Sequence, residues 1–176
     1  MEVSLKQVPM SDLHPFALLS DGGGSKANDD LEELVPRHVA IRSLDLYAMG
    51  VEARWCAPFI IYTDSHPDPV GACGFKGAPE DGEVEIGYGV LPLMQGKGIA
   101  TLAVHALLIM AFNEDTCSSV LATINPINVA SRRVAEKLGF VEQESFDDED
   151  GETLVRWRCQ ASPHPTELLN LAAGAR

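Results

Sequence analysis

No two of the four cysteines, Cys56, Cys73, Cys117 and Cys159, form a C-x-x-C pair, and the five histidines are equally scattered. Zinc-ligand spacing is therefore missing, and no metal is expected. Most of the cysteines adjoin apolar or strand-like residues, so free buried thiols are expected. Runs of Lys or Arg are lacking too: 13 basic residues stand against 26 acidic ones, a net charge of −13. A surface that acidic repels nucleic acid unless a basic patch is segregated, so no nucleic-acid partner is expected. It suits a cationic or amine-bearing partner, although high net charge also serves solubility alone. The longest apolar run, 99–112, is too short to span a bilayer and contains His105, which argues against a membrane role. The opening residues Met1-Glu2-Val3-Ser4-Leu5-Lys6 lack a signal-peptide pattern, and a reducing cytoplasm is the expected compartment. No internal repeat is visible.

What is present is an ordinary globular composition, 45% apolar and 22% charged over 176 residues, enough to bury a substantial core. One domain over 1–160 is expected, followed by a tail over 161–176 with Pro163, Pro165 and a short apolar helix candidate at 167–173. Residues 2–8 alternate as a first strand, and Asp21-Gly22-Gly23-Gly24-Ser25 reads as a loop. Asp29-Asp30 could cap a short helix carrying Leu31, Leu34 and Val35, ended by Pro36. A helix over 37–49 would place Ala40, Leu44, Tyr47 and Ala48 on one side, with Gly50 near its end. Strands at 59–62 and 70–75 flank a turn over 64–69, and Asp81-Gly82 is a strong hairpin signal. Later come a strand at 119–124, a helix capped by Asn128 and stopped by Gly139, and a hairpin of 140–146 with 153–159 around Asp150-Gly151. The order is that of a mixed α/β fold with antiparallel hairpins and one βαβ core.

The chain turns on residues 84–101. Val84, Ile86, Tyr88 and Val90 alternate on one strand face, and Ile99, Leu102, Ala103, Ala106, Leu107 and Met110 then repeat at helical spacing. Between them Gly96 and Gly98 stand at a helix N-terminus, where unpaired amides and the positive end of the dipole suit a phosphate. Two competing loops can be set aside. A P-loop needs G-x-x-x-x-G-K-[ST], and Ile99 follows Gly98; a dinucleotide loop needs Gly or Ala where Thr101 stands.

Gln95-x-x-Gly98-x-Ala100 resembles the Arg/Gln-x-x-Gly-x-Gly/Ala pyrophosphate signature of the GNAT superfamily of acetyl-CoA-dependent N-acetyltransferases. Asn128-Val129-Ala130-Ser131-Arg132-Arg133-Val134-Ala135-Glu136-Lys137-Leu138-Gly139-Phe140 resembles the N-x-x-S-x-x-V-x-E-K-L-G-F segment of the branch holding ribosomal-protein N-terminal (alanine/serine) acetyltransferases. Glu85-Ile86-Gly87-Tyr88 and Gly74-Phe75-Lys76-Gly77 resemble the same branch, and the likeness covers roughly 70–158.

The resemblance implies a GNAT fold: a mixed, mostly antiparallel sheet with helices on both faces and a splayed parallel strand pair holding acetyl-CoA. Gln95, Gly96, Lys97, Gly98, Ile99 and Ala100 would wrap the pyrophosphate, backbone near Val90 and Leu91 would pair with the pantetheine, and Asn128 and Ser131 would contact it. Arg132 or Arg133 could meet phosphates. A homodimer is common in the family. The amine would attack the thioester directly, so a base and an acid suffice. Glu85 is the candidate base, with Glu83 two residues earlier on the same face or a water relay as substitutes. Ser131 is the candidate acid; its plainer role is a backbone contact in a first helical turn. The run Asp147-Asp148-Glu149-Asp150 could attract a cationic acceptor or simply be a solvated turn, and Trp55, Phe75 and Trp157 are expected in the core. The acceptor would be a protein N-terminus or a small amine. The rival reading is a non-catalytic acyl-CoA-binding or interaction protein on the same scaffold.

Overall fold

The computed structural model describes residues 1–18 and 33–161. The loop expected at 21–25, the cap at Asp29-Asp30 and the helix expected at 167–173 lie outside the described residues. The elements are β1 (Val3–Gln7), α1 (Met10–Leu18), α2 (Arg37–Ala48), α3 (Ala53–Cys56), β2 (Phe59–Thr63), β3 (His66–Phe75), β4 (Glu83–Val90), a 3-10 turn (Pro92–Met94), α4 (Ile99–Phe112), β5 (Ser119–Ile124), α5 (Val129–Lys137), β6 (Val141–Asp147) and β7 (Thr153–Gln160). The strands form a seven-stranded sheet in the order β1-β2-β3-β4-β5-β7-β6. Every neighbouring pair is antiparallel except β4 and β5, which the crossover through α4 makes parallel.

The turns follow their residues. Asp81 (φ 51°) and Gly82 (φ 83°) both take the left-handed conformation that a two-residue hairpin demands. The hairpin of β2 and β3 closes more tightly than its sequence suggests. Thr63 pairs with His66, so the strand resumes before Pro67 and Pro69, next to a register shift between Ile61 and Thr63. Prolines are tolerated in a strand where pairing is irregular.

Both sheet faces are covered. Val84 and Ile86 of β4 join Ile99, Ala103, Leu107, Leu138 and the T-shaped pair Trp55–Phe75, whose rings lie 4.8 Å apart, in the larger core. On the opposite face Ile60 and Ala72 pack with Leu13, Val35 and Ala40 beneath α1 and α2. Trp157 is also buried, and the four cysteines are free and buried. Burial pushes the Cys73 thiol up to about 12 and the Cys159 thiol to about 11.

Two expected helix faces need correction. In α4 Leu102, Ala106 and Met110 are only half-buried, whereas Val104, Leu108 and Ala111 are buried with Ala103 and Leu107. A helix apolar around its whole circumference is enclosed on several sides, so spacing alone does not single out one stripe. In α2 Tyr47 and Ala48 are exposed, and Ala40 and Ser43 are the buried residues. Ser43 can be buried because its hydroxyl donates to the Val39 carbonyl at 2.8 Å.

Candidate active site

The site begins where the parallel pairing stops. β4 and β5 are in register from Glu83 with Ser119 to Ile86 with Ala122 and no further. Beyond Ile86, β4 stays paired to β3, up to Val90 opposite Gly71, while β5 runs on beside β7. The Lys76 amide donates to the Glu85 carbonyl and the Leu91 amide to the Val70 carbonyl. Antiparallel strands alternate bonded and non-bonded pairs, so the backbone groups of Tyr88 and Val90 point away from β3 into the gap. The two strands splay as the resemblance implies.

Gln95 closes one end of that gap, its Nε2 donating to the Val90 carbonyl at 2.9 Å. After it Gly96 (φ 74°) and Gly98 (φ 81°) adopt the left-handed conformation, and a Cβ added to either would meet only open space. Gly98 is the N-cap of α4 and makes no side-chain cap, so the first amides of the helix have no side-chain acceptor. Facing them is the start of α5, where Asn128 Oδ1 accepts from the Ser131 amide at 3.0 Å. Together these elements enclose a cleft of about 390 Å³ lined by Val90, Gln95, Gly96, Gly98, Ile99, Ala100, Asn128 and Ser131. Arg133 and Lys137, one turn apart on α5, also line it. The cleft thus joins helix-start amides, glycine-bared backbone and two cations, a combination that fits a pyrophosphate.

Three predicted contacts sit differently from the rest. Leu91 already donates its amide to Val70 and lines a different cavity, whereas Val90 lines the cleft. Lys97 is exposed, its Nζ 3.5 Å from Met94 Sδ. Of the arginine pair Arg133 faces the cleft, while Arg132 turns to the Pro126 carbonyl and to Glu142.

A second cavity, of about 440 Å³, lies on the other face of the sheet under α2. Tyr88, Gly89 and Val90 line both cavities, so the two meet at the splayed end of β4. Glu85 is on the β4 face carrying Gly87 and Gly89, and its Oε1 is 2.5 Å from the Nζ of Lys76, a residue of the cavity wall. Glu83 is held elsewhere, accepting from Arg158 Nε at 2.6 Å and Ser119 Oγ at 3.0 Å.

In the sequence Tyr88 reads as one more apolar-face residue of a strand, with nothing local to mark it as chemical. Its hydroxyl donates to the Ser131 carbonyl at 3.2 Å, joining the two cavities' walls. Burial pushes the Tyr88 phenol up, against a smaller downward pull from the Ser131 side chain. The acidic run is largely turn structure. Asp148 Oδ1 accepts from the amides of Asp150 at 3.0 Å and Glu152 at 2.8 Å, and Asp147 accepts from the Thr153 hydroxyl at 2.8 Å.

Comparison with known proteins agrees with this geometry. The acetyltransferase (GNAT) domain family matches residues 23–141. The chain belongs to the GNAT acetyltransferases. This GNAT protein is 29% identical over 119 residues to the uncharacterized N-acetyltransferase YjdG of Bacillus subtilis (strain 168), covering 67% of this chain and 68% of that one. Among solved structures it is similar to Mycobacterium smegmatis RimJ in complex with CoA-disulfide, with TM-score 0.68 and 26% identity over 98% of this chain and 88% of that one. It shares its fold with the ribosomal-protein-S5-alanine acetyltransferase from Vibrio fischeri, with TM-score 0.65 and 16% identity over 93% and 95% of the two chains.

Proposed function

We propose that this protein transfers the acetyl group of acetyl-CoA to a primary amine. The observation that carries the reading is the meeting of two cavities at Tyr88, Gly89 and Val90, one suited to a pyrophosphate-bearing arm and one to an acceptor. A cosubstrate in the cleft would supply a thioester carbonyl as acetyl donor.

The amides of Gly96, Lys97, Gly98, Ile99 and Ala100 hold the pyrophosphate at the start of α4, with Arg133 and Lys137 adding charge from α5. Asn128 and the open backbone edge of β4 hold the pantetheine. An ammonium acceptor must lose a proton before its nitrogen can attack, and Glu85, behind the cavity wall at Lys76, takes it through water. The Val90 amide, pointing into the gap, donates to the carbonyl oxygen as negative charge develops there. The hydroxyls of Ser131 and Tyr88 supply a proton on the sulfur side, replaced by the second proton that the attacking nitrogen gives up. Of this pair the phenol is the stronger acid by intrinsic pKa.

Release of free CoA, assayed across a panel of amines with mass spectrometry of the product, tests the reading. An acetylated amine is the expected result. Tight acetyl-CoA binding with no release for any amine would instead favour the non-catalytic acyl-CoA-binding scaffold.

A further inference from the structure

Resting on that reading, we propose that the acceptor is an amine that also bears a carboxylate, held by the guanidinium of Arg42. The chain as a whole is strongly acidic, at −13, and a typical cavity on it would be lined by acids. The acceptor cavity is not. Among the described residues its charged lining is Arg42 and Lys76 against one acid, Glu33, which is exposed ahead of α2. Behind the wall Glu85 is the counter-charge to both permanent cations. It pairs with Lys76 at 2.5 Å and attracts Arg42 only at longer range. With Glu33 exposed at the rim, the described residues set one carboxylate against two cations and leave a single positive charge at the cavity floor.

Arg42 is the unsatisfied member. Its Nε is buried and has no hydrogen-bond partner among the described residues. Burial holds its guanidinium below the ordinary arginine value, against the pull of Glu85. A cation taken out of water without an anion is costly, and a guanidinium fork matches a carboxylate in shape and charge. The rest of the lining is small or apolar, including Gly71, Gly74, Gly87 and Gly89 from the strands and Val39 from α2. Gly71 has no room for a side chain, since a Cβ there would stand 2.3 Å from the Gly89 carbonyl oxygen. The resulting space of about 440 Å³ suits the body of an amino acid, with its amine toward Tyr88–Val90 and its carboxylate toward Arg42. A polycation would meet the wrong sign of charge.

Such a carboxylate has two sources, a free amino acid or the acidic side chain of a peptide N-terminus. Paired probes separate them: glutamate and methionine against their α-amides, and the peptide amide Ser-Glu-Ala against Ser-Gln-Ala, with spermidine as the polycation. The carboxylate member of at least one pair should be acetylated about tenfold or more better in kcat/KM than its partner. Arg42→Gln should close that gap by raising KM for the carboxylate member, and Arg42→Lys should restore part of it. Lys76→Met provides a second variant should Arg42→Gln fail to fold, and it should narrow the same gap. Equal use of every pair, a preference for spermidine, or an unchanged gap in a folded Arg42→Gln protein would overturn the inference while leaving acetyl transfer intact. Should no amine release CoA, calorimetry of N-acetylglutamate against N-acetylglutamine amide, with CoA present, still reads it: preference for the diacid supports the anion site, and equal binding removes it.

Discussion

The glycine-lined cleft beside α4 and the cavity under α2 share three residues of β4 and are built from opposite materials. On the cleft side the ligand-facing groups are mostly backbone: two left-handed glycines, an uncapped helix start and the unpaired edge of a splayed strand. On the acceptor side they are side chains from distant parts of the chain, Arg42 of α2 and Lys76 just after β3, drawn together by Glu85 of β4. A backbone site tolerates variation in side chains as long as glycines and caps keep the fold of the loop. A side-chain site can change its specificity with one substitution. On the proposed reading, the contrast lets one fold keep a common donor while its acceptors differ.

The largest effect that would separate the two cavities comes from Glu85→Gln. Turnover should fall by ~100- to 10,000-fold, the usual contribution of a positioned general base, with partial recovery at higher pH as free amine accumulates. Acetyl-CoA affinity, measured by calorimetry, should be unchanged. Because the variant also uncovers the positive charge of Arg42 and Lys76, KM for carboxylate-bearing amines should drop. Glu83→Gln, which breaks only the contact to Arg158 and Ser119, should alter turnover far less. Parental turnover in both variants at every pH would assign the proton to a water chain.

Gly98→Val makes the opposite cut. A β-branched residue at φ 81° is strained by roughly 1–3 kcal/mol, and its side chain would enter the open cleft. Acetyl-CoA binding should weaken by about 10- to 100-fold, while binding of N-acetyl product to the acceptor cavity holds. Undiminished acetyl-CoA affinity in the folded variant would move the pyrophosphate off this loop.

Where the two cavities meet, the effects should be smaller and should touch both substrates' shared step. Tyr88→Phe and Ser131→Ala should each lower turnover by about tenfold, the low side of acid catalysis for a pair in which one hydroxyl can cover for the other. Because burial raises the phenol above its ordinary value, Tyr88 stays protonated through the whole neutral range. Parental turnover should therefore persist into alkaline pH and decline only above the usual tyrosine range. That alkaline decline should be missing in Tyr88→Phe, and a pH–rate profile unaltered by the substitution would return the acid role to Ser131 alone.

The smallest effect belongs to neither cavity. Asp148→Ala should cost about 1–2 kcal/mol of stability in denaturant titration, because two turn amides lose their acceptor. Neutralising Glu149 and Asp150 should leave stability within ~0.5 kcal/mol and acceptor kinetics unchanged. Slower capture of a cationic amine at low salt in that double variant would restore a steering role to the run.

The local structure of residues 84–101 and 128–139 was legible in one dimension, because short-range interactions set it. Asp81-Gly82, Gly96, Gly98 and Gly139 sit at positive φ, and Asn128 caps the helix it begins, through interactions spanning only a few residues. The parallel pairing of β4 with β5 followed from the helix between them. Where Tyr88 meets Ser131, how Arg42 and Lys76 share Glu85, and which sides of α4 are enclosed were decided only by packing. Tyr88 and Ser131, like Arg42 and Glu85, stand tens of positions apart, Lys76 meets Glu85 across a hairpin, and α4 is apolar on every side. Local propensity and periodicity carry no information about a partner that far along the chain, and only the closed tertiary structure supplies it.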